Sequence, residues 1–170
     1  MLPPSLGAHP HTPLLLRTGT VHVPTVRPHF QPWTGDRTGI HTFGGKDLLL
    51  VDGQPQFAEV AILRAFQADG WQGRWLETYG HGPMKPGLWN AWHPDGPRAQ
   101  VHGPITEGWV TERLQAIALA NGNTYSGCWD VVVWKNDRLV FAESKKQRKD
   151  RMRGTQLRWM EAAMECGCGV

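Results

Sequence analysis

The segment CWDVVVWKNDRLVFAESKK, residues 128–146, constrains this chain more than any other. Its apolar runs are short and rich in β-branched and aromatic residues, and Asn136-Asp137 interrupts them with two residues that tolerate left-handed backbone angles. A β-hairpin centred on that pair sets Lys135 against Arg138, Val133 against Val140 and hence Asp130 against Glu143. The register is the same for a two-residue or a four-residue loop. Val131, Val132 and Val133 place apolar side chains on both faces, which marks a strand covered on both sides and argues against a solvated face for its acids.

Directly opposed residues in an antiparallel pair have Cβ atoms about 5 Å apart, so two carboxylates there repel unless a cation lies between them. Hard oxygen ligands of this kind select Mg²⁺ or Mn²⁺ and give no sign of zinc. Alternation puts Lys145 on the same face as Glu143 and Lys146 on the other. A divalent ion and an ammonium in one patch suit phosphodiester hydrolysis, the ion lowering the pKa of a bound water and the ammonium answering transition-state charge.

Glu59 is out of pattern, because on a helix read from PQFAEVAILRAFQADG it falls among Ile62, Leu63 and Phe66. A carboxylate on an apolar face needs a partner or a metal, which makes Glu59 a further candidate ligand. Between Ser144 and Arg158, seven basic residues (Lys145, Lys146, Arg148, Lys149, Arg151, Arg153 and Arg158) meet the single acid Asp150. That segment carries +6 in a chain of net charge +3, the electrostatic footprint of a polyanion channel beside the carboxylates.

The rest of the chain supplies the frame. Residues 1–46 hold seven of the 13 prolines and five of the eight histidines, with Asp36 as their one acid, and read as an extended arm. His9, His11, His22, His29 and His41 have no recognised metal spacing. From Asp47 onward the signals are a short strand at DLLLVDGQP, the Glu59 helix, a strand over 71–79, a Gly/Pro-punctuated stretch, a helix over 106–120, the hairpin strands 129–134 and 138–145, and a last helix over 155–166. The tryptophans between Trp71 and Trp109 read as packing. No apolar run of about 18 residues occurs, and MLPPSLGAHPHTP has neither a basic nor an apolar region of the secretory kind, so a membrane span, a secretory signal and a membrane partner are not expected. The three cysteines, Cys128, Cys166 and Cys168, suit a reducing compartment, and the expected location is the cytoplasm.

The order helix-Glu, strand Asp, Glu-x-Lys, then a helix opening with Gln resembles the PD-(D/E)XK nuclease superfamily. WDVVVW, LVFAESK and TQLRWMEAA are most similar to its VRR-NUC branch, over about residues 47–170. The resemblance implies an α/β (α+β) restriction-endonuclease-like αβββαβ core with a mixed central sheet. It implies Asp130, Glu143 and the main-chain carbonyl of Ser144 as metal ligands, Glu59 as the helix acid near the metal, Lys145 as the catalytic lysine and Gln156 as a polar residue aimed back at the site. Two departures stand out: Trp129 precedes the Asp where Pro is usual, and the chain reaches ECGCGV where the final core strand would begin.

The expected activity is Mg²⁺-dependent hydrolysis of DNA, as an endonuclease on structured or branched DNA, with a homodimer implied by family analogy. The competing readings are a nuclease-fold module that grips nucleic acid without cutting it, and an RNA nuclease of the same fold.

Overall fold

The structure is a computed structural model and describes residues 10–43, 45–78, 84–146 and 150–169. Its centre is an antiparallel sheet of four strands in the order β6-β5-β7-β8, where β5 is Gln72–Glu77, β6 Gly87–Trp89, β7 Val131–Lys135 and β8 Arg138–Ala142. Three helices cover it: α1 (Ala58–Ala68), α2 (Gly108–Ala120) and α3 (Gly154–Glu165). The class is therefore mixed α+β.

The hairpin forms in the register read from the sequence. Lys135 pairs with Arg138, Val133 with Val140 and Val131 with Ala142, and Asn136 takes a φ of 57° at the turn. The valines of β7 have no exposed surface, because successive side chains enter different layers. Val131 and Val133 pack with Leu63 and Phe66 of α1, whereas Val132 and Trp134 pack with Val110, Leu114 and Ile117 of α2 and Trp159 of α3. Gly73 lets α1 approach the sheet, since a Cβ there would lie 2.7 Å from Leu63 Cδ1 and 2.8 Å from the Val132 carbonyl oxygen. Trp75, Trp89, Trp92 and Phe57 stack into a separate aromatic core beside α1.

Three expectations need correction. Every strand pairing among the described residues is antiparallel, so the sheet is not mixed as the resemblance implied. A parallel neighbour would require a crossover back from α3, and the described residues beyond it, 166–169, form no strand. Within the stretch expected to be an extended arm, β1 (His11–Leu16) and β2 (Gly19–Pro24) form an antiparallel hairpin. Alternating Leu14/Leu16 and Val21/Val23 give it an apolar face that packs on the α2–α3 core, with Leu16 buried. DLLLVDGQP is a hairpin of its own, β3 (Leu49–Val51) and β4 (Gln54–Gln56), turned by Asp52 and Gly53, both at positive φ. That Asp-Gly pair fits the left-handed turn that matches strand twist. Among the described residues no helix is long and apolar enough to cross a membrane.

Gly127 holds the start of α3 against the turn before β7. Its φ is +82°, and an added Cβ would lie 2.3 Å from the backbone oxygen of Thr155. Gly127→Ala is therefore expected to destabilise the protein by about 2 kcal/mol or more, through backbone strain and a clash with main chain that cannot swing aside. Urea unfolding of both proteins measures it, and an unchanged midpoint would mean that the close approach is not there.

Candidate active site

The start of β7 and the end of β8 lie side by side at one edge of the antiparallel ladder, and the two acids sit one residue past it. The Asp130 amide donates to Glu143 Oε2 at 3.2 Å, which places the two residues opposite each other as the register requires. Phe141, two residues before Glu143 and so on its face, packs edge-on against Trp159. That face is the one α3 covers, and α3 brings Gln156 to the carboxylates.

Gln156 is buried, and both ends of its amide are engaged. Nε2 donates to Glu143 Oε1 at 2.7 Å, while Oε1 accepts from Lys145 Nζ at 3.0 Å and from the Arg153 amide at 3.0 Å. Lys145 Nζ also donates to Glu143 Oε1 at 2.7 Å. Glu143, Lys145 and Gln156 thus close a triangle around a carboxylate side chain that is 5% exposed. Trp129 donates its indole N–H to the Gln156 carbonyl at 3.2 Å and so ties α3 to the strand. Lys145 lies with Glu143, whereas Lys146, in the chain beyond β8, pairs with Asp47 at the surface.

The Asp130 carboxylate receives no hydrogen bond or ion pair among the described residues. Burial raises its pKa well above the usual carboxylate value, the Glu143 and Glu59 charges raise it further, and Lys46 opposes them only in part. Glu59 is buried, as its place on the apolar face of α1 implied, and it meets a cation from outside the expected set: Lys46 Nζ lies 2.9 Å from Glu59 Oε1. Burial pulls the Lys46 ammonium down, but Glu59, with Asp130 and Glu77 behind it, outweighs this and holds it above its ordinary value. The same negative field reaches Cys128, whose thiol is pushed up by burial first and by Asp130, Glu77 and Glu143 after that, so it stays protonated and inert.

Sequence reasoning missed Lys46 and Glu77. Glu77 ends β5, and its strand neighbour Leu76 donates its amide to the Asp130 carbonyl at 2.7 Å. An acid closing the apolar run WLE was a signal, but it had no meaning until the β5–β7 register was known. Lys46 sits where the arm meets the domain, and nothing in its spacing points to Glu59.

The remaining expected residues divide. Ser144 lies between Glu143 and Lys145 and is partly buried. Lys146, Arg151 and Arg153 are exposed beside the triangle's chain segment, while Arg148 and Lys149 lie outside the described residues. Arg158 is not brought to the site. It lines a cleft of about 620 Å³ with Arg17, Glu161 and Glu165, on the side of α3 away from Gln156.

Among the described residues no three His, Cys, Asp or Glu side chains converge as a ready-made metal cage. The donor set at issue is smaller, two carboxylates and a main-chain carbonyl. Its fit to Mg²⁺ or Mn²⁺ rests on hard oxygen donors and on the Asp130 carboxylate, which takes no hydrogen bond among the described residues and is raised in pKa by burial first and by Glu143 and Glu59 after that. No family model matches this chain, and neither does any curated protein or solved structure.

Ionised Asp130 burdens the folded state, since its pKa is raised on folding. The penalty is absent below the unfolded value near 3.8 and grows as pH rises towards the folded value. Asp130→Asn in EDTA should therefore be the more stable protein at pH 7, by up to about 1 kcal/mol, and the two should converge as pH falls below about 4. Urea midpoints across pH measure this, and a mutant less stable at pH 7 would show that Asp130 is favourably paired.

Proposed function

We propose that the chain is a Mg²⁺- or Mn²⁺-dependent nuclease that hydrolyses phosphodiester bonds in DNA, built on a restriction-endonuclease-like core of the VRR-NUC kind. The observation that carries this reading is the triangle of Glu143, Lys145 and Gln156 beside an Asp130 carboxylate that takes no hydrogen bond among the described residues. A bound divalent ion would supply a water of lowered pKa and neutralise charge on the phosphate, and Asp130, Glu143 and the Ser144 carbonyl would hold it. Lys145 keeps its ammonium beside Glu143, where it can answer negative charge developing on the phosphoryl oxygens. Gln156 fixes that ammonium from α3, so the lysine needs no reorganisation during the reaction. The exposed cations Lys146, Arg151 and Arg153 would meet the phosphate backbone, which makes affinity depend on salt. Among the described residues β8 is an edge strand of the sheet, and that edge is the natural place for a second copy of the chain to pair, giving a homodimer.

One observation favours a second reading, a nucleic-acid-binding module that does not cut. Glu143 is already engaged by Lys145 and Gln156, so an ion must compete for it. Incubation with labelled duplex DNA, branched DNA and RNA, in Mg²⁺ or EDTA, separates the readings. The proposal expects Mg²⁺-dependent cleavage of DNA, and Lys145→Ala should slow it by about 10² or more while leaving binding nearly intact. Lys146→Ala should weaken binding and spare turnover. Binding without cleavage of any substrate would establish the module, cleavage confined to RNA would change the substrate, and equal rate losses in both variants would overturn the assignment of Lys145.

A further inference from the structure

The C-terminal end of α3 brings two thiols together, and nothing in the proposed hydrolysis uses them. The helix closes on Cys166, whose φ of −83° and ψ of 10° are still right-handed, and Gly167 then reverses the chain at a φ of +81°. The Gly167 amide donates to the Met164 carbonyl at 2.9 Å and the Cys168 amide to the Ala163 carbonyl at 2.9 Å, the paired bonds of a Schellman turn. Cys166 lies three residues beyond Ala163 and so shares its helix face. Cys168 follows the reversal, and it is the residue that such a turn folds back onto the same stretch of helix. Both cysteines accordingly pack on the α2–α3 core, and both keep part of their surface exposed.

A cation stands over this turn. Arg113 of α2 donates from Nη1 to the Cys166 carbonyl, and a Cβ added at Gly167 would lie 3.2 Å from the same nitrogen. Burial raises the Cys168 thiol, the Arg113 charge draws it back, and the Cys166 charge adds to the rise, so the two sulfurs act on each other. A disulfide spans Cα atoms about 4.4–6.8 Å apart, and residues flanking a reversed one lie closer than the roughly 7 Å of an extended chain. A bridge across a single residue is strained and exposed, which makes it easily opened again.

We infer that Cys166-Gly167-Cys168 is a dithiol site that reacts with a small disulfide such as glutathione disulfide and closes to a reversible intrachain disulfide. One cysteine, as thiolate, attacks a sulfur of the oxidant and expels a glutathione thiolate, leaving a mixed disulfide. The other attacks the protein sulfur of that mixed disulfide and expels the second glutathione. Two protein thiols are oxidised, one glutathione disulfide is reduced to two glutathiones, and these take up the two thiol protons. The inference is independent of the nuclease reading.

The test treats the folded full chain with glutathione disulfide, blocks free thiols with iodoacetamide and weighs the tryptic peptide that follows Arg158, which holds Cys166 and Cys168 but not Cys128. The parent should give this peptide lighter by two hydrogens and unalkylated, and dithiothreitol should restore it, while buried Cys128 reacts only after unfolding. Cys166→Ser and Cys168→Ser should stop at the glutathione adduct, at least about tenfold more abundant than in the parent. A parent that accumulates the adduct as the single variants do would show that one thiol cannot reach the other. A parent left unmodified, or cross-linked between chains, would equally overturn the inference. If circular dichroism shows a variant to be unfolded, the parent's own product decides, cyclic peptide supporting the inference and adduct overturning it.

Discussion

Charge that has been taken out of water must be answered nearby, and that requirement organises this molecule. Strand β7 is covered on both faces, so a carboxylate at its end faces protein more than solvent. The hairpin then delivers Glu143 to the same place. Burial would make two such acids untenable as ions if they stood alone. Each neighbouring element supplies part of the answer: Lys145 from beyond β8, Gln156 from α3, and Lys46 from the segment before β3. Among the described residues the Asp130 carboxylate takes no hydrogen bond, and burial first, then the charges of Glu143 and Glu59, raise its pKa.

The scaffold fixes these groups to within a hydrogen bond because it is packed on glycine and tryptophan. Gly127 admits the first turn of α3 to backbone contact, and Trp129 bonds the carbonyl of Gln156, so the glutamine approaches Glu143 from a rigid base. On the other face Gly73 admits α1, which carries Glu59. At the far side of α3 the β1–β2 hairpin docks through Leu16, and Arg17 pairs with the buried Glu161. That docking steadies the helix without touching the site.

Local signals in the sequence specified the local geometry well. The Asn136-Asp137 turn and the period-two pattern around it were enough to place Asp130 opposite Glu143, and the break in the apolar face of α1 was enough to single out Glu59. Long-range registers were not legible. Glu77 joins the cluster only because β5 lies beside β7, and Lys46 only because the segment before β3 folds back over α1. Such placements depend on packing between distant segments, which no local period encodes. The arm misled for a different reason. Prolines and histidines hid the alternation of Leu14, Leu16, Val21 and Val23, and the hairpin they form is held by α3 rather than by its own propensity. The basic run was legible as a charge pattern, but its division was not: Lys146, Arg151 and Arg153 are exposed along the chain between Lys145 and Gln156, whereas helical geometry carries Arg158 to the opposite side of α3.

The central claim is that Asp130 and Glu143 form one cation site. Thermal unfolding of the parent and of Asp130→Asn, each in EDTA and in rising Mg²⁺ or Mn²⁺, tests it without assuming a substrate. A ligand that binds only the folded state raises the melting temperature with its concentration, by about 2.7 kcal/mol of stability at a hundredfold excess over the dissociation constant. The account predicts such a rise for the parent and a nearly flat response for the variant. A parent that ignores both ions, or a variant that responds to them as strongly as the parent, would contradict it.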